Sequence, residues 1–507
     1  MKMDVLLGVD IGTYSVKAVA VNAQGDLLDT AALQHDVSFP RPGYAEQDPE
    51  SVWWEGLRTA VRQLIARGTF QVSQVRALGV STLSPCVAAL DRDNRPLRPA
   101  ILYGMDVRAG KQIQRLNEEL GEGFVLDRFG QLLSSQTAGP KIMWIREEQP
   151  ELFRQAARFV PASTYLVHKL TGEWRIDAYI APSYAPFFRM DTMEWDDEMI
   201  RTYLADDTAL KDGIAWPELG WPGDLAGVLT AEAAAATGLA AGIPVVIGSA
   251  DALAEAISAA ALTPGDLFMM YGSSMFFIAT THKPVNRSET FWPSPGLAEG
   301  AWAVAGGMSA AGSLVRWVMD LAYPPGTPFE TFFAAAKTSV SGSNGLVMLP
   351  YFSGERTPLG DPDARGVIAG LSLKHNAADL SRAALEAVAY GIRHNIEAFE
   401  AMLGPVSLIG AGGGVTDPFW AQIVTDVSRR PQRIMQNTNA AIGDALLAGT
   451  GAELFGHSFM KELALRISHP LELQPNPDLA EVYDARYKVY RELYINTREQ
   501  IVELGKR

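Results

Sequence analysis

The chain has 507 residues, 48% of them hydrophobic and 20% charged, and a length of this order usually forms two domains. Its net charge of −15 argues against nucleic acid or an anionic membrane as a partner, and its single cysteine, Cys86, excludes an intramolecular disulfide. No basic leader with an apolar core opens the sequence and no apolar run is long enough to span a membrane, so we expect a cytoplasmic globular protein.

The first predicted element is a β-hairpin. Residues 5–10 and 16–21 are apolar strands, and a third strand starts at Leu27. The polar residues of the intervening turn and its edges include Asp10, Thr13, Ser15 and Lys17. Backbone N–H groups of a tight turn bind anions, a lysine adds positive charge, and a carboxylate at a strand end suits Mg²⁺ held through water. We therefore predict a phosphate-binding turn here.

The next elements alternate in type, as in an α/β protein. Residues 49–67 predict an amphipathic helix and residues 75–80 a strand. Residues 109–173 are mostly helical in pattern. Residues 189–224, rich in Trp, Pro and Asp, predict an irregular surface excursion.

A second candidate site lies near the middle of the chain. Residues 245–247 predict a buried parallel strand, and an Ala-rich helix starts near Leu253. Asp251 lies where the strand passes into the helix, which is where open α/β sheets place ligand-binding groups. Two interpretations stay open from these residues: Asp251 binds a ligand, or Asp251 or Ser249 caps the helix.

Residues 266–279 repeat the layout of the opening hairpin. An apolar strand runs into Gly272 and Ser273 and returns as a second apolar strand. One such hairpin is ordinary. Two copies, each opening one half of the chain, predict duplicated domains.

A glycine-rich strand end follows at residues 408–417. Its glycines would let a flat or anionic ligand approach the backbone. Val415 breaks the Gly-x-Gly-x-x-Gly spacing, and the chain has no Gly-x-x-x-x-Gly-Lys-Ser/Thr, so neither a dinucleotide fold nor a P-loop is predicted. Small residues at 440–448 predict a helix that packs closely or contacts a ligand. Residues 478–506 predict a helix that docks on its own domain or on a partner.

Two further stretches of the second half carry a family signature. Residues 366–371 (Gly-Val-Ile-Ala-Gly-Leu) are followed after seven residues by 379–386, and residues 354–362 read Gly-Glu-Arg-Thr-Pro-Leu-Gly-Asp-Pro. In residue types and spacing, the chain resembles the FGGY carbohydrate kinases of the actin-like ATPase superfamily over nearly its whole length. The resemblance implies an α/β fold with two RNase H-like domains, residues 1–253 for the sugar and 254–507 for the nucleotide, and an active-site cleft between them.

The resemblance also implies roles for individual residues. Asp10 would hold Mg²⁺ through water, and Asp251 would be the catalytic base that accepts the proton of the substrate hydroxyl. The ATP-binding candidates are Thr13, Ser15 and Lys17 in a first phosphate loop, Gly272 and Ser273 in a second, and Gly312, Arg316, Gly413 and Asp417 beside the nucleotide. Arg316 stands where glycerol kinases of the family have Gln.

The sugar side departs from the family pattern. Xylulokinases usually carry Gln-Met-His-Gly where this chain has Leu83-Ser84-Pro85-Cys86. The substrate-binding candidates are Ser84, Asp106, Arg108, Gln136 and Asp251. Asp106 and Arg108 either contact the sugar or brace their loop. The implied activity is ATP-dependent phosphorylation of a small sugar or polyol, with the ketopentose D-xylulose as first choice and ribulose, erythritol and glycerol as alternatives.

Two other classes of protein compete with a kinase. A non-kinase actin-like ATPase, such as a chaperone or filament protein, would share the opening hairpin. An inactive sugar-sensing relative is disfavoured because Asp10, Lys17 and Asp251 are all present. The expected ligands are ATP, Mg²⁺ and a small sugar or polyol, without nucleic acid or membrane, and a homodimer is left open. We expect the domains to close on the sugar.

Overall fold

Two seven-stranded sheets organise the computed structural model, which describes residues 4–205, 213–285 and 287–505. The strands are β1 (Val5–Ile11), β2 (Ser15–Asn22), β3 (Leu27–Gln34), β4 (Glu46–Gln47), β5 (Val75–Thr82), β6 (Ala88–Leu90), β7 (Ala100–Ile101), β8 (Arg158–Val160), β9 (Arg175–Asp177), β10 (Phe188–Arg189), β11 (Glu194–Trp195), β12 (Glu218–Gly220), β13 (Leu225–Val228), β14 (Pro244–Val246), β15 (Ser249–Ala250), β16 (Asp266–Tyr271), β17 (Met275–Thr281), β18 (Trp292–Pro295), β19 (Trp302–Met308), β20 (Val347–Leu349), β21 (Val367–Ala369), β22 (Ser407–Ala411), β23 (Gln432–Ile434) and β24 (Leu471–Leu473). The α-helices are α1 (Glu55–Arg67), α2 (Gly110–Leu120), α3 (Glu122–Phe129), α4 (Gly139–Glu148), α5 (Pro150–Gln155), α6 (Ala162–Thr171), α7 (Asp197–Leu204), α8 (Ala231–Thr237), α9 (Asp251–Ser258), α10 (Gly312–Ala322), α11 (Phe329–Thr338), α12 (Ala377–Leu403), α13 (Pro418–Ser428), α14 (Ala440–Gly451), α15 (His457–Ser468) and α16 (Ala480–Gly505). Among the residues described, no helix is both long and apolar enough to cross a membrane.

The first sheet has the strand order β13-β14-β5-β1-β2-β3, and β15 also pairs with β5. β1 pairs antiparallel with β2 and parallel with β5. Every residue of β1 is buried, as expected for an apolar strand at the centre of a sheet covered on both faces. The three antiparallel strands predicted at the start of the chain are confirmed.

The second sheet repeats this arrangement, in the order β18-β19-β17-β16-β22-β23-β24. β16 pairs antiparallel with β17 and parallel with β22, as β1 does with β2 and β5. β22 then pairs parallel with β23, and β23 antiparallel with β24. The two halves of the chain therefore form two α/β domains of the same topology, and the predicted duplication is confirmed.

Helix α14 joins the two halves. It comes late in the sequence, yet it packs on β1 and β5 of the first sheet and crosses α9. This close approach depends on glycines: a Cβ built at Gly8 would overlap the carbonyl oxygen of Ala441, and one at Gly443 would overlap that of Ala254. The small residues predicted at 440–448 thus serve close packing.

Three predictions about local elements differ in detail from the structure. The helix expected over 49–67 begins as a π-helical segment, Pro49–Trp54, before continuing as α1. The stretch 189–224 is not wholly irregular, because it contains α7 and the short strands β11 and β12, although its residues 206–212 lie outside the described residues. The domain boundary predicted between residues 253 and 254 falls inside α9 and stays a prediction.

The C-terminal helix α16 docks on its own domain. The hydroxyl of Tyr487 donates to Glu397 at 2.7 Å, and that of Tyr494 donates to Asp361 at 2.7 Å. Self-docking, one of the two alternatives for this helix, is therefore confirmed. The last predicted position, residue 506, lies outside the described residues.

Candidate active site

A cavity of about 260 Å³ opens between the two domains. The first domain contributes to its lining Ser84, Tyr103, Gln136, Tyr179, Ser183 and Asp251. The second domain contributes Ser274, Phe276, Trp292, Ser294 and Arg356. The predicted cleft between the domains is confirmed, and a small polar ligand in it would touch both domains at once.

Asp251 is the first residue of α9 and is partly exposed at this cavity. Its Oδ1 accepts a hydrogen bond from the adjacent Ala252 N–H at 2.8 Å, but the N-cap position belongs to Ala250 and no side chain caps the helix. Ser249 does not cap it either, because its hydroxyl donates to Asp177 at 3.1 Å. The helix-cap interpretation is therefore wrong.

The Asp251 carboxyl has an unusual affinity for protons. Burial raises its pKa to about 7, and the negative charge of Glu255, one turn along α9, adds to the shift against the opposing Ala252 hydrogen bond. A carboxyl with a pKa near neutrality can both take up and release a proton at the working pH, which is what a general base requires.

Asp10 lies on β1, which pairs with β5, and β5 also pairs with the strand β15 that precedes Asp251. Burial raises the pKa of its carboxyl well above the usual range, and the charge of Asp251 adds to the shift. Two groups lower the pKa of Asp10 in part. They are Lys17, opposite Asp10 in the β1–β2 register, and the Ser81 hydroxyl, which donates a hydrogen bond of 3.3 Å to its carboxylate. The negative charges of Asp10 and Asp251 repel each other, and a divalent cation beside them would stabilise both carboxylates.

The predicted first phosphate loop corresponds to the turn between β1 and β2. The Gly12 N–H donates to the Ser15 carbonyl at 2.9 Å and closes the turn. Thr13 is held twice, because its carbonyl accepts from Gln47 Nε2 at 2.8 Å and its hydroxyl is hydrogen-bonded to the Tyr103 hydroxyl at 2.8 Å. Tyr103 therefore links this loop to the cavity.

The second loop, between β16 and β17, is held by the start of α10. The Gly312 N–H donates to the Gly272 carbonyl at 3.0 Å, and the Ser313 N–H donates to the Ser273 carbonyl at 2.9 Å. A Cβ at Gly312 would come within 2.8 Å of that Gly272 oxygen, so only glycine fits. The Arg316 guanidinium lies 4.4 Å above the ring of Phe329, and its role beside the nucleotide stays a prediction.

Gly413 and Asp417 follow β22, at the end of the strand that pairs with β16. A Cβ at Gly413 would meet nothing within 4 Å, so its backbone is open to a ligand. Asp417 caps α13 by accepting from the Phe419 N–H at 2.9 Å and forms an ion pair with Lys337 at 2.8 Å. Nucleotide binding by these two residues stays a prediction.

Asp106 and Arg108 do not line the cavity. Asp106 accepts hydrogen bonds from the Ala45 N–H at 2.7 Å and from the Arg108 guanidinium at 2.6 Å, and both side chains are 0% exposed. Arg108 also forms an ion pair with Glu46 at 2.8 Å and lies 4.0 Å above the Tyr44 ring. Of the two roles left open by the sequence, these contacts support bracing of the loop and not sugar contact.

Weakening the contacts of Asp106 with Ala45 and Arg108 should affect the stability of the protein more than its substrate binding. We expect Asp106→Asn to lower the free energy of unfolding by about 2 kcal/mol, because it weakens a buried, charge-assisted hydrogen-bond network. The KM for the sugar should change less than about threefold if the replacement acts only through the loop. Calorimetric unfolding and steady-state kinetics measure both, with the exposed Asp93→Asn as control. A large rise in KM without loss of stability would restore the sugar-contact role.

Four buried polar atoms of the cavity lining have no hydrogen-bond partner among the described residues. They are the hydroxyls of Ser84, Ser183 and Ser294 and the Nε of Arg356. Buried polar groups are normally paired, so a ligand carrying several hydroxyls would satisfy them. The sequence indicated only Ser84. Arg356 lies in the family-typical stretch 354–362, whereas no sequence signal pointed to the other two serines.

The described ranges hold no group of three or more His, Cys, Asp or Glu side chains placed to bind a metal. Mg²⁺ at phosphoryl-transfer sites usually binds one or two carboxylates and completes its shell with water and substrate phosphates. The buried carboxylate of Asp10, beside the first phosphate loop, fits that mode of binding.

Comparison with known proteins establishes the family. The FGGY family of carbohydrate kinases matches residues 5–258 with its N-terminal domain and residues 267–452 with its C-terminal domain. This chain belongs to the FGGY family of carbohydrate kinases. Kinases of this family use ATP, so the predicted ATP-dependent carbohydrate kinase is confirmed, and the non-kinase ATPase is set aside.

Individual relatives match the kinase over nearly its whole length. It is 30% identical to a xylulose kinase of Escherichia coli (strain K12), over 96% of this chain and 98% of that one. The crystal structure of a xylulose kinase from Rhodospirillum rubrum superposes with a TM-score of 0.88 at 30% identity, covering 98% and 99% of the two chains. Plasmodium falciparum glycerol kinase with ADP shares the fold, with a TM-score of 0.84 at 19% identity over 97% and 98%. The predicted two-domain, actin-like architecture is confirmed.

Proposed function

We propose that this kinase transfers the terminal phosphoryl group of ATP to a hydroxyl of a ketopentose, with D-xylulose as the first candidate, and that Asp251 is the general base. The observation that carries the proposal is the position of Asp251 at a small cavity lined by both domains and by unpaired polar atoms. Full-length similarity to proteins named xylulose kinases supports the choice of sugar.

The proposed step is an in-line displacement at phosphorus. The sugar oxygen forms the new P–O bond as the bond to the ADP oxygen breaks, and Asp251 takes the hydroxyl proton. The predicted phosphate ligands come from two hairpins, whose turns would bind the phosphates: Thr13, Ser15 and Lys17 from the first, Gly272 and Ser273 from the second. Mg²⁺, when bound, neutralises phosphate charge, and Asp10 would hold it.

On the sugar side, a serine stands in the stretch where xylulokinases carry larger polar side chains. Ser84 occupies the stretch in which those enzymes have Gln-Met-His-Gly, and Gln136 lies opposite the Gly104 backbone. With Ser183, these side chains would bind sugar hydroxyls in the first domain. Because the His and Gln are absent, we propose that discrimination among ketoses differs from that of the named xylulose kinases.

The activity is tested with a coupled ADP-release assay over a panel of sugars. D-Xylulose, D-ribulose, L-ribulose, erythritol, glycerol and aldonic acids are compared at equal concentrations with ATP and Mg²⁺. We expect D-xylulose to give the largest kcat/KM. A higher value for a polyol or an aldonic acid would overturn the ketopentose assignment, and ADP release that no sugar stimulates would overturn the proposal as a whole.

The role of Asp10 has its own test. We expect Asp10→Asn to raise the Mg²⁺ concentration needed for half-maximal activity at least tenfold, because a neutral amide holds a metal-bound water more weakly than a carboxylate does. A Mg²⁺ titration at constant ATP measures the shift, with the exposed Asp36→Asn as control. An unchanged Mg²⁺ requirement would remove Asp10 from the metal site.

The remaining assignments are part of the same proposal. Gly312, Gly413, Asp417 and, less directly, the exposed Arg316 would lie on the nucleotide side. Three further predictions are open to experiment. Ultracentrifugation tests the homodimer, gel-shift assays test the lack of nucleic-acid binding, and cell fractionation tests the cytoplasmic location.

A further inference from the structure

Arg356 reaches the cavity from the second domain. It belongs to the stretch 354–362, whose residues hold one another in place: Glu355 and Asp361 exchange backbone hydrogen bonds of 2.8 and 2.9 Å. The hydroxyl of Thr357 donates to Asn395 at 2.6 Å and accepts from the Gly307 N–H at 2.8 Å. This loop is therefore a rigid support for the arginine beside it.

The guanidinium of Arg356 is held in place by hydrogen bonds, but not all of its N–H donors have an acceptor in the described ranges. Its Nη2 donates to the Met308 carbonyl at 2.7 Å and more weakly to that of Met275 at 3.4 Å. Its Nε is buried without a hydrogen-bond partner among the described residues, and the charge of the adjacent Glu355 acts on the guanidinium. Gly307 makes room for it, since a Cβ there would come within 3.0 Å of the guanidinium. Backbone carbonyls thus anchor Nη2, whereas Nε has no acceptor in the described part of the free protein, and the arginine side chain lines the cavity.

Ser294 and Trp292 complete this wall of the cavity. The Ser294 hydroxyl is buried without a partner on the same domain. The Trp292 ring lies 5.6 Å from the Arg356 guanidinium and stacks on Phe276. Trp292 and Phe276 thus give this wall an apolar surface beside the Ser294 and Arg356 donors, which suits a sugar because a sugar has both C–H groups and hydroxyls.

We propose that Arg356 and Ser294 form a substrate clamp on the second domain, binding sugar hydroxyls other than the one that faces Asp251. This inference rests on the proposed sugar kinase function. Because Asp251 and the clamp belong to different domains, a sugar held by both stabilises the closed arrangement of the domains. Sugar binding and domain closure are then one event, which keeps ATP from being hydrolysed without an acceptor.

The cleanest test is Ser294→Ala. Its hydroxyl makes no hydrogen bond in the free protein, so the replacement breaks no internal contact. We expect the KM for the sugar to rise about three- to tenfold, the value of one neutral hydrogen bond, with the KM for ATP and the melting temperature unchanged. The matched control is Ser163→Ala, which removes another buried, unpaired hydroxyl that does not line the cavity.

A second variant tests the arginine. We expect Arg356→Met to raise the KM for the sugar about 10- to 100-fold, with Arg356→Lys intermediate, because a hydrogen bond from a charged donor is stronger. Small-angle scattering with sugar and a non-hydrolysable ATP analogue should show compaction in the wild type and less in Arg356→Met.

Two outcomes would overturn the clamp. One is an unchanged sugar KM in both variants. The other is a fall in kcat at constant sugar KM in Arg356→Met, which would place the guanidinium at the transferred phosphoryl group. Calorimetry of sugar binding without turnover separates a failure of the clamp from a failure of the proposed function. Weaker sugar binding in Ser294→Ala supports the clamp even if the wild type transfers no phosphoryl group.

Discussion

Asp251→Asn is expected to lower kcat about 10³-fold while leaving ATP affinity within about twofold. The amide has nearly the same shape as the carboxylate but cannot accept the proton of the sugar hydroxyl, and general bases typically contribute 10²- to 10⁴-fold. The loss should appear in kcat more than in KM, because the proton is transferred only in the chemical step. Stopped-flow or coupled assays measure kcat, and calorimetry with an ATP analogue measures the affinity.

The pH profile gives an independent check of the same residue. The wild-type kcat/KM should fall as pH drops below about 7, because burial raises the pKa of Asp251 to about 7 and only the deprotonated carboxylate acts as a base. This acidic limb should be missing from the residual activity of Asp251→Asn. Glu232→Gln, at an exposed position in the first turn of α8, is the control. Near-normal kcat in Asp251→Asn would remove the residue from its proposed role.

Gly443→Ala is expected to destabilise the protein by roughly 3 kcal/mol, the upper end of the usual cost of overpacking. The added methyl group would overlap the Ala254 carbonyl where α14 crosses α9, and neither helix backbone can move aside without disturbing a sheet. Since α9 begins with Asp251, its displacement should also lower kcat. Differential scanning calorimetry and steady-state kinetics measure the two effects.

Gly123→Ala is the matched control for this prediction. Gly123 also lies in a helix, α3, but a Cβ there meets nothing within 4 Å. Alanine is favoured over glycine in a helix by roughly 0.5–1 kcal/mol, so this variant should be as stable as the wild type or slightly more stable. A melting temperature of Gly443→Ala equal to that of Gly123→Ala would show that the helix crossing tolerates a side chain.

The parts of the site that the sequence predicted are those built from neighbours along the chain. Asp10 and Lys17 face each other across one hairpin, and Asp251 follows its strand directly. Apolar periodicity and a glycine turn suffice to place such residues, because the hydrogen bonds that position them span few residues.

The questions that the sequence left open concern residues whose partners are distant along the chain. Asp106 was a candidate for the sugar because its loop follows a family pattern, but its carboxylate is taken up by the Ala45 backbone, 61 residues away. Arg356 belongs to the family-typical stretch 354–362, but no role was predicted for it. Nothing in its neighbouring sequence shows that it lines the same cavity as Ser84. Pairing across such separations depends on how the sheets and helices pack.

The sequence by itself determined the family, the duplicated hairpins and the acid at the junction of strand and helix, because each depends on residue types at fixed short spacings. Only the tertiary structure decided which polar groups are left unpaired in the cavity and that Ser294 and Arg356 face it from the second domain. A side chain's burial and its partners are set by elements that meet after folding, and no local pattern carries that information.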